Sequence, residues 1–438
     1  MRARDDLLAD LRAARHRTDA LFEWLRPGAF LERPIAERHR LLFYVGHLDA
    51  FDWNLLSRDC CRRPSRNPAF ERLFAFGIDP VDGHLPTDTV ADWPSLDVVR
   101  EWVALLRADV DEDLATAPFD GWLADGWAAH LAIEHRLMHA ETLAYLFHRL
   151  PPESLHPHPG DGPTAAPVAP GSPQVDVPAG VATLGRARRE APHAGWDNEY
   201  EAHRVEVPAF RVDRLPVTND AFREFVEAGG YRQRAWWTDE AWAWLEREGV
   251  QHPRAWSRGA DGWSARGLFV VGRLQPSLPA MVSHAEASAY ARWRGARLMT
   301  EAEWHRAALG APDGSERSFP WGEAPPVPGL HGAFGFSSVD PLPVGATPAG
   351  RSAFGVDELI GNGWEWTSTP FAPFAGFEPL PFYQGYSANF FDGRHFVMKG
   401  ASAFTDVRFL RRSFRNWFQP HYPYVFAKFR CVSGGGEA

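Results

Sequence analysis

The chain reads as an α+β protein whose helices are gathered at its N-terminal end. Three observations lead there. Residues 4–25, 35–60, 95–116 and 122–149 carry apolar side chains at helical spacing with few internal Gly or Pro residues. A Pro-, Gly- and Ala-rich segment follows, "PPESLHPHPGDGPTAAPVAPGSP", residues 151–173. Beyond about 175 the pattern turns to short strands, frequent turns and a few helices. The expected organisation is a helical domain over 1–150, a linker over 151–174 and a loop-heavy α+β domain over 175–436.

Four helices with intervening loops predict an up-and-down bundle, an architecture that builds metal sites from facing helices. The linker composition predicts a semi-extended tract, in which His156 and His158 are solvated. In the C-terminal part "VDVPAGVATLG" and "HRVEVPAFRVDRLPVTN" predict strands. "NDAFREFVEAGG" and "SHAEASAYARWRGARLMTEAEWHRAAL" predict helices, the first ending at Gly229-Gly230 and the second containing a Thr300/Glu303 capping box.

Composition removes several function classes. The 438 residues are 45% hydrophobic and 23% charged, a soluble globular balance. A formal net charge of −10 argues against a nucleic-acid partner, because phosphate contacts need a basic face. No apolar run approaches the ~18–20 residues that span a bilayer. The amphipathic N-terminus lacks a signal-peptide core, so a cytoplasmic location is expected. Cys60, Cys61 and Cys431 are the three cysteines, which excludes a disulfide scaffold. The 19 Trp residues point to aromatic-lined surfaces, since each indole N–H needs a partner.

Chemistry concentrates in three places. On the last predicted helix, "EHRLMHAE" places His135 and His139 at i, i+4, one above the other on one face. His47 lies among apolar residues in "LLFYVGHLDAFDW" on the second helix. If both helices face the bundle core, three neutral imidazoles converge. Such a set suits Zn, Fe or Cu and leaves coordination positions open, the mark of a catalytic site. Glu141 is placed to orient one ligand, whereas Asp49 and Asp52 read as a solvated helix face. The competing reading pairs the histidines with Glu134 and Glu141 on a charged surface. The second place, "GVDELIGNGWEWTSTPF" over 355–371, reads as a buried structural turn packed by Trp364 and Trp366. The third, over 381–432, mixes Tyr383, Tyr386, Asn389, Arg415, Asn416 and Trp417, which suits a small polar or cationic ligand.

The order of these pieces resembles the ergothioneine-pathway sulfoxide synthases. A helical segment carries His47 and H-x-x-x-H-x-E, then come a linker, "GVDELIGNGWEWT" and "FRNWFQPHY". Those proteins join a DinB-like four-helix bundle to a formylglycine-generating-enzyme-like (sulfatase-modifying-factor) domain with a C-type-lectin-like core. "RLPVTNDAFREFVEAGGY", "GARLMTEAEWHRAAL" and "PVGATPAGRSAFGVDELIGN" extend the resemblance over nearly the whole chain.

The resemblance implies an O2-dependent non-heme iron(II) oxidoreductase with Fe(2+) held by His47, His135 and His139. It implies hercynine, the trimethylated betaine of histidine, as one substrate, and a sulfur or selenium donor joined to its imidazole carbon as the other. Tyr383 matches the catalytic tyrosine, a hydrogen-bond or proton donor. Tyr386 and Asn416 match hercynine contacts, with Trp417 beside them. The chain departs from the branch that uses γ-glutamylcysteine. That branch has an aspartate after Arg-Asn-Trp, where this chain has Phe418, and a phenyl ring pairs with no ammonium. Met138 replaces a glutamine used toward hercynine in some members. "FERLFAFGIDPVDGHLPTDTV" offers no match to the arginines that grip a glutamyl carboxylate. These departures, with "RHRLLFYVGHLDAFDW", resemble the selenoneine synthase branch and favour a selenosugar over a thiol such as γ-glutamylcysteine or cysteine. A formylglycine-generating copper oxidase needs a thiol pair that "KGASAFTDVRFLRRSFRN" lacks. A zinc DinB-type thiol transferase stays open, because three histidines also hold zinc; a purely binding protein would leave the triad idle.

Overall fold

A computed structural model of the chain describes residues 4–75, 86–158, 173–188 and 195–434, which fall into two compact units. The predicted linker lies, over 159–172, outside the described residues.

The first unit is helical: α1 (Arg4–Phe22), α2 (Leu41–Trp53), the short α3 (Pro68–Leu73), α4 (Leu96–Thr116) and α5 (Trp127–Phe147). Local chemistry sets the ends. Ser95 caps α4 by accepting the Val98 N–H, Asn67 caps α3, and Gly126, at φ 75°, starts α5. α2 widens into a π-helical stretch at Asn54–Cys60. α5 is buried along nearly its whole length, as its apolar residues on every side require.

All four long helices form, but their order is not up-and-down. α1 packs against α5 and α4, and α2 packs against the same two helices. α1 and α2 therefore stand diagonally across the bundle, as do α4 and α5, whereas α2 and α4 are neighbours. The connections over 23–40 and 117–126 are long enough to cross its ends. Residues 151–158 close onto this unit, with His156 exposed as expected and His158 half-buried. Leu155 is buried and bridges Leu25, the His156 N–H donates to the Trp24 carbonyl at 2.8 Å, and the His158 ring meets Trp24 edge-on at 5.7 Å.

Asp49 and Asp52 are also not a solvated face. They are 2% and 0% exposed, and the fully buried Arg136 donates to both, at 2.7 and 2.6 Å, and to Thr18. Arg107 adds two hydrogen bonds to Asp49. A helix that turns His47 to one side turns Asp49 and Asp52 to another.

The second unit is α+β. Its strands are β1 (Gln174–Val177), β2 (Gly180–Leu184), β3 (His203–Val207), β4 (Phe210–Asp213), β5 (Trp256–Gly259), β6 (Gly262–Arg266), β7 (Val271–Arg273), β8 (Gly363–Pro370), β9 (Phe396–Ala401), β10 (Asn416–Phe418), β11 (Ala427–Lys428) and β12 (Val432–Gly434). Its helices are α6 (Asn219–Glu227), α7 (Asp239–Glu248), α8 (His284–Trp293), α9 (Glu301–Leu309) and α10 (Gly385–Ala388). The central sheet runs β10-β9-β8-β11, antiparallel except that β11 lies parallel to β8; β1-β4-β12, β2-β3 and β5-β6-β7 are separate sheets. α9 lies on β2, β3, β8 and β9, with Trp304, Ala307 and Ala308 in a core shared with Phe210, Val212 and Ile360.

The helical stretch over 283–309 forms two helices, separated after Gly295 with φ 64°. Capping boxes open both, Ser283/Glu286 and Thr300/Glu303. The buried-turn reading of 355–371 holds. Trp364 and Trp366 are buried, the Trp366 indole donates to the Val282 carbonyl, and the Asn362 side chain binds both backbone groups of Leu342. Glu365 is buried between Lys428 and Arg430. Among the described residues no helix is long and apolar enough to cross a membrane.

Candidate metal centre

His135 and His139 arise from consecutive turns of α5, and His47 comes from α2, which packs against it. One ring nitrogen of each lies within 4.8 Å of the others. All three are buried. Aromatic neighbours hold the rings: Phe51 stacks on His135 at 3.5 Å and 11°, and Phe43 on His47 at 4.7 Å and 19°. These faces also keep water from the imidazoles.

The electrostatics suit a cation. Burial pushes the His47 imidazole down to about 4 against the opposing hydrogen bond to Phe74. Burial, with the neighbouring imidazoles and Arg136, holds His135 and His139 well below the ordinary histidine value. All three are therefore neutral at pH 7 and offer lone pairs. Among the described residues, the Nδ1 atoms of His135 and His139 are buried without a hydrogen-bond partner, which is costly in a packed core. His47 Nδ1 lies 2.7 Å from the Phe74 carbonyl. A carbonyl only accepts, so Nδ1 carries the proton and Nε2 keeps the lone pair that a metal can bind. A borderline transition metal with open positions fits this all-nitrogen set, and a hard cation such as Ca²⁺ does not.

Phe74 was not legible as part of the site. It belongs to the loop after α3 and acts through its backbone, 27 residues from His47. Gly46 was a further missed element: a Cβ there would stand 2.5 Å from the Phe74 ring. Gly46→Ala thus displaces Phe74 and frees the His47 ring. Metal affinity is expected to fall by about ten- to a hundredfold, read by isothermal titration with Co(II). On helix propensity alone the same change would stabilise the chain by ~1 kcal/mol, so a loss identifies the contact.

Met138 is half-buried between the two α5 ligands. In the C-terminal unit Tyr383, Tyr386 and Trp417 come together. The Tyr383 and Tyr386 rings are 5.6 Å apart, Tyr386 meets Trp417 edge-on at 5.4 Å, and Phe371 stacks on Trp417 at 4.2 Å. Asn416 and Phe418 belong to the same strand, β10, but its alternation turns them to the face opposite Trp417. Phe418 stacks on Tyr422 at 5.1 Å and 13°, and the Asn416 side-chain amide oxygen (Oδ1) accepts the Trp417 backbone N–H. Cys431, the cysteine of this unit, is buried, and burial beside Asp213 pushes its thiol up. It is the single cysteine of the C-terminal unit, so that unit by itself supplies no thiol pair for copper chemistry.

Comparison with known proteins adds a lineage to this geometry. Residues 162–434 match the sulfatase-modifying factor enzyme 1-like domain. The chain is 39% identical to a hercynine oxygenase of Mycolicibacterium thermoresistibile, over 89% of this chain and 86% of that protein. It is 35% identical to a hercynine oxygenase of Mycolicibacterium smegmatis over 99% of both. An ergothioneine biosynthesis protein 1 of Neurospora crassa is 27% identical over 92% of this chain and 54% of that longer protein.

Proposed function

The chain belongs to the ergothioneine-biosynthesis sulfoxide synthase family, and from that membership we propose that it is an O2-dependent oxidoreductase that joins the imidazole carbon of hercynine to a sulfur or selenium donor. The observation that carries this reading is the buried triad of neutral imidazoles in a chain so similar to hercynine oxygenases.

His47, His135 and His139 are the proposed ligands and Fe(2+) the proposed ion, supported by three nitrogen donors, open positions and oxygenase relatives. When bound, the ion would supply the redox chemistry. The chain's own groups do the rest. The Phe74 carbonyl fixes the His47 tautomer. Phe43 and Phe51 hold two of the rings and exclude water. Tyr383 is proposed to hold or deliver a proton through its phenol. Tyr386 and Trp417 are proposed to contact hercynine, with an aromatic face suited to its trimethylammonium group; Asn416, turned to the other face of β10, is not grouped with them. Met138 is proposed to replace a polar hercynine contact with an apolar one. The helical unit is proposed to be of the DinB type.

For the donor we favour a selenosugar over γ-glutamylcysteine or cysteine. Phe418, which stacks on Tyr422, is proposed to stand at the donor position in place of the aspartate that the γ-glutamylcysteine branch is expected to carry, and a phenyl ring cannot pair with the ammonium of an amino-acid thiol. The test is a donor panel. Fe(II)-loaded protein, hercynine and O2 are incubated with a selenosugar, a thiosugar, γ-glutamylcysteine or cysteine, and products are read by mass spectrometry. The selenosugar is expected to give the most product. Coupling with γ-glutamylcysteine alone would overturn the donor assignment and leave the hercynine assignment standing.

A further inference from the structure

The turn Trp196–Glu199 fastens together the two chain segments that carry Tyr383, Tyr386 and Trp417. Asp197 accepts the Ser387 hydroxyl at 2.5 Å and the backbone N–H of Leu380. Leu380 and Ser387 bracket the segment that carries both tyrosines, and the Tyr383 N–H donates back to the Leu380 carbonyl. Asn198 donates its amide to the same Ser387 hydroxyl at 2.8 Å. The Trp196 ring lies on Tyr386 at 4.0 Å and 25°.

The last residue of the turn faces the other segment. Glu199 accepts the Trp196 N–H, a two-pronged pair of bonds from Arg411 and the Ser413 hydroxyl, just before β10. Trp196, Asp197, Asn198, Glu199 and Ser387 are all at most 1% exposed. Two carboxylates in a dry core are costly unless their hydrogen bonds hold something in place. Glu199 is compensated by Arg411. Among the described residues, Asp197 has no cation as a hydrogen-bond partner and its Oδ2 has no hydrogen-bond partner. What its carboxylate does is close the loop.

We propose that Asp197 is a positioning residue that clasps the 380–387 segment through Leu380 and Ser387, and so sets Tyr383 and Tyr386 against Trp417. This inference rests on the roles proposed above for the two tyrosines. It adds a residue from a stretch, "WDNE", in which sequence inspection found no chemistry.

Ser387→Ala deletes one hydroxyl, and Asp197→Asn keeps the shape while removing the charge. In both, amide hydrogen exchange over 380–387 is expected to accelerate about tenfold or more while exchange in α9 and β8 stays unchanged. In turnover, kcat is expected to fall about ten- to a hundredfold. The KM for hercynine is expected to rise while that for the donor stays the same. A role confined to overall stability would shift kcat through the folded fraction and leave both KM values alone. In a Tyr383→Phe background Ser387→Ala is expected to cost little further, because both changes act on one group. Unaltered exchange over 380–387 in both variants would overturn the clasp, as would unaltered kcat and hercynine KM. Exchange needs no substrate, so a wild-type protein that fails to convert hercynine would overturn the proposed function while exchange still decides the clasp.

Discussion

His135→Ala is expected to abolish metal binding and turnover and to leave the helical unit folded. One of three imidazoles is lost, and two neutral nitrogens on α2 and α5 do not retain a divalent ion against water. Alanine is the best helix former, so α5 keeps its backbone. The cost in stability comes from the space left under the Phe51 ring, which stacks on His135 at 3.5 Å, and is about 1–3 kcal/mol by analogy with other large-to-small core changes. The check is metal content after Fe(II) loading and gel filtration, beside a urea unfolding curve. Retention of a full equivalent of iron by a folded His135→Ala protein would show that the triad is not the centre.

Arg136→Met is expected to be the most destabilising single change in the helical unit, by roughly 3–5 kcal/mol. The guanidinium is fully buried and serves two buried carboxylates on the neighbouring helix. Burial raises both Asp49 and Asp52. For Asp49 the charges of Arg136 and Arg107 outweigh burial and hold it below its ordinary value, whereas for Asp52 burial wins. Removing Arg136 strands Asp52 and leaves Asp49 to Arg107 alone among its hydrogen-bonding cations. Asp52→Asn in the same background is expected to recover part of the loss, because one stranded charge is removed. Urea denaturation at pH 7 reads the difference, and a loss under about 1 kcal/mol would contradict a stabilising ion network. The sign with pH follows for Asp49. Its folded value is depressed, so its contribution is present above the ordinary carboxylate range and is lost as pH falls through the folded value.

Much of the helical unit and its centre was legible because periodicity reports faces directly. His135 and His139 share a face by spacing, and His47 sits in an apolar run, so convergence needed only that the two helices meet. Spacing could not tell which way Asp49 and Asp52 point. A charged pair at i, i+3 looks the same on a solvated face as against a buried arginine, and Arg136 is one residue from a ligand. Helix order was beyond the pattern for a similar reason, since loop length permits a neighbour and a diagonal alike. Phe74 escaped because its contribution is a backbone carbonyl, a group that every residue has.

In the C-terminal unit the grouping of Asn416, Trp417 and Phe418 came from adjacency in the chain. Adjacency on a strand means opposite faces, so Trp417 joined Tyr383 and Tyr386 while its neighbours turned away. Asp197 and Ser387 are 190 residues apart and carry no motif. Only the fold brings them together.

The central claim is that the histidine triad binds a redox metal on which the conversion of hercynine depends. Its most direct test is anaerobic loading of metal-free protein with Fe(II), then exposure to hercynine, the donor panel and O2, with mass spectrometry of the products. The expected result is a hercynine–donor adduct that is absent from the metal-free protein and from His135→Ala. No adduct with any donor, or equal adduct from metal-free and iron-loaded protein, would contradict it.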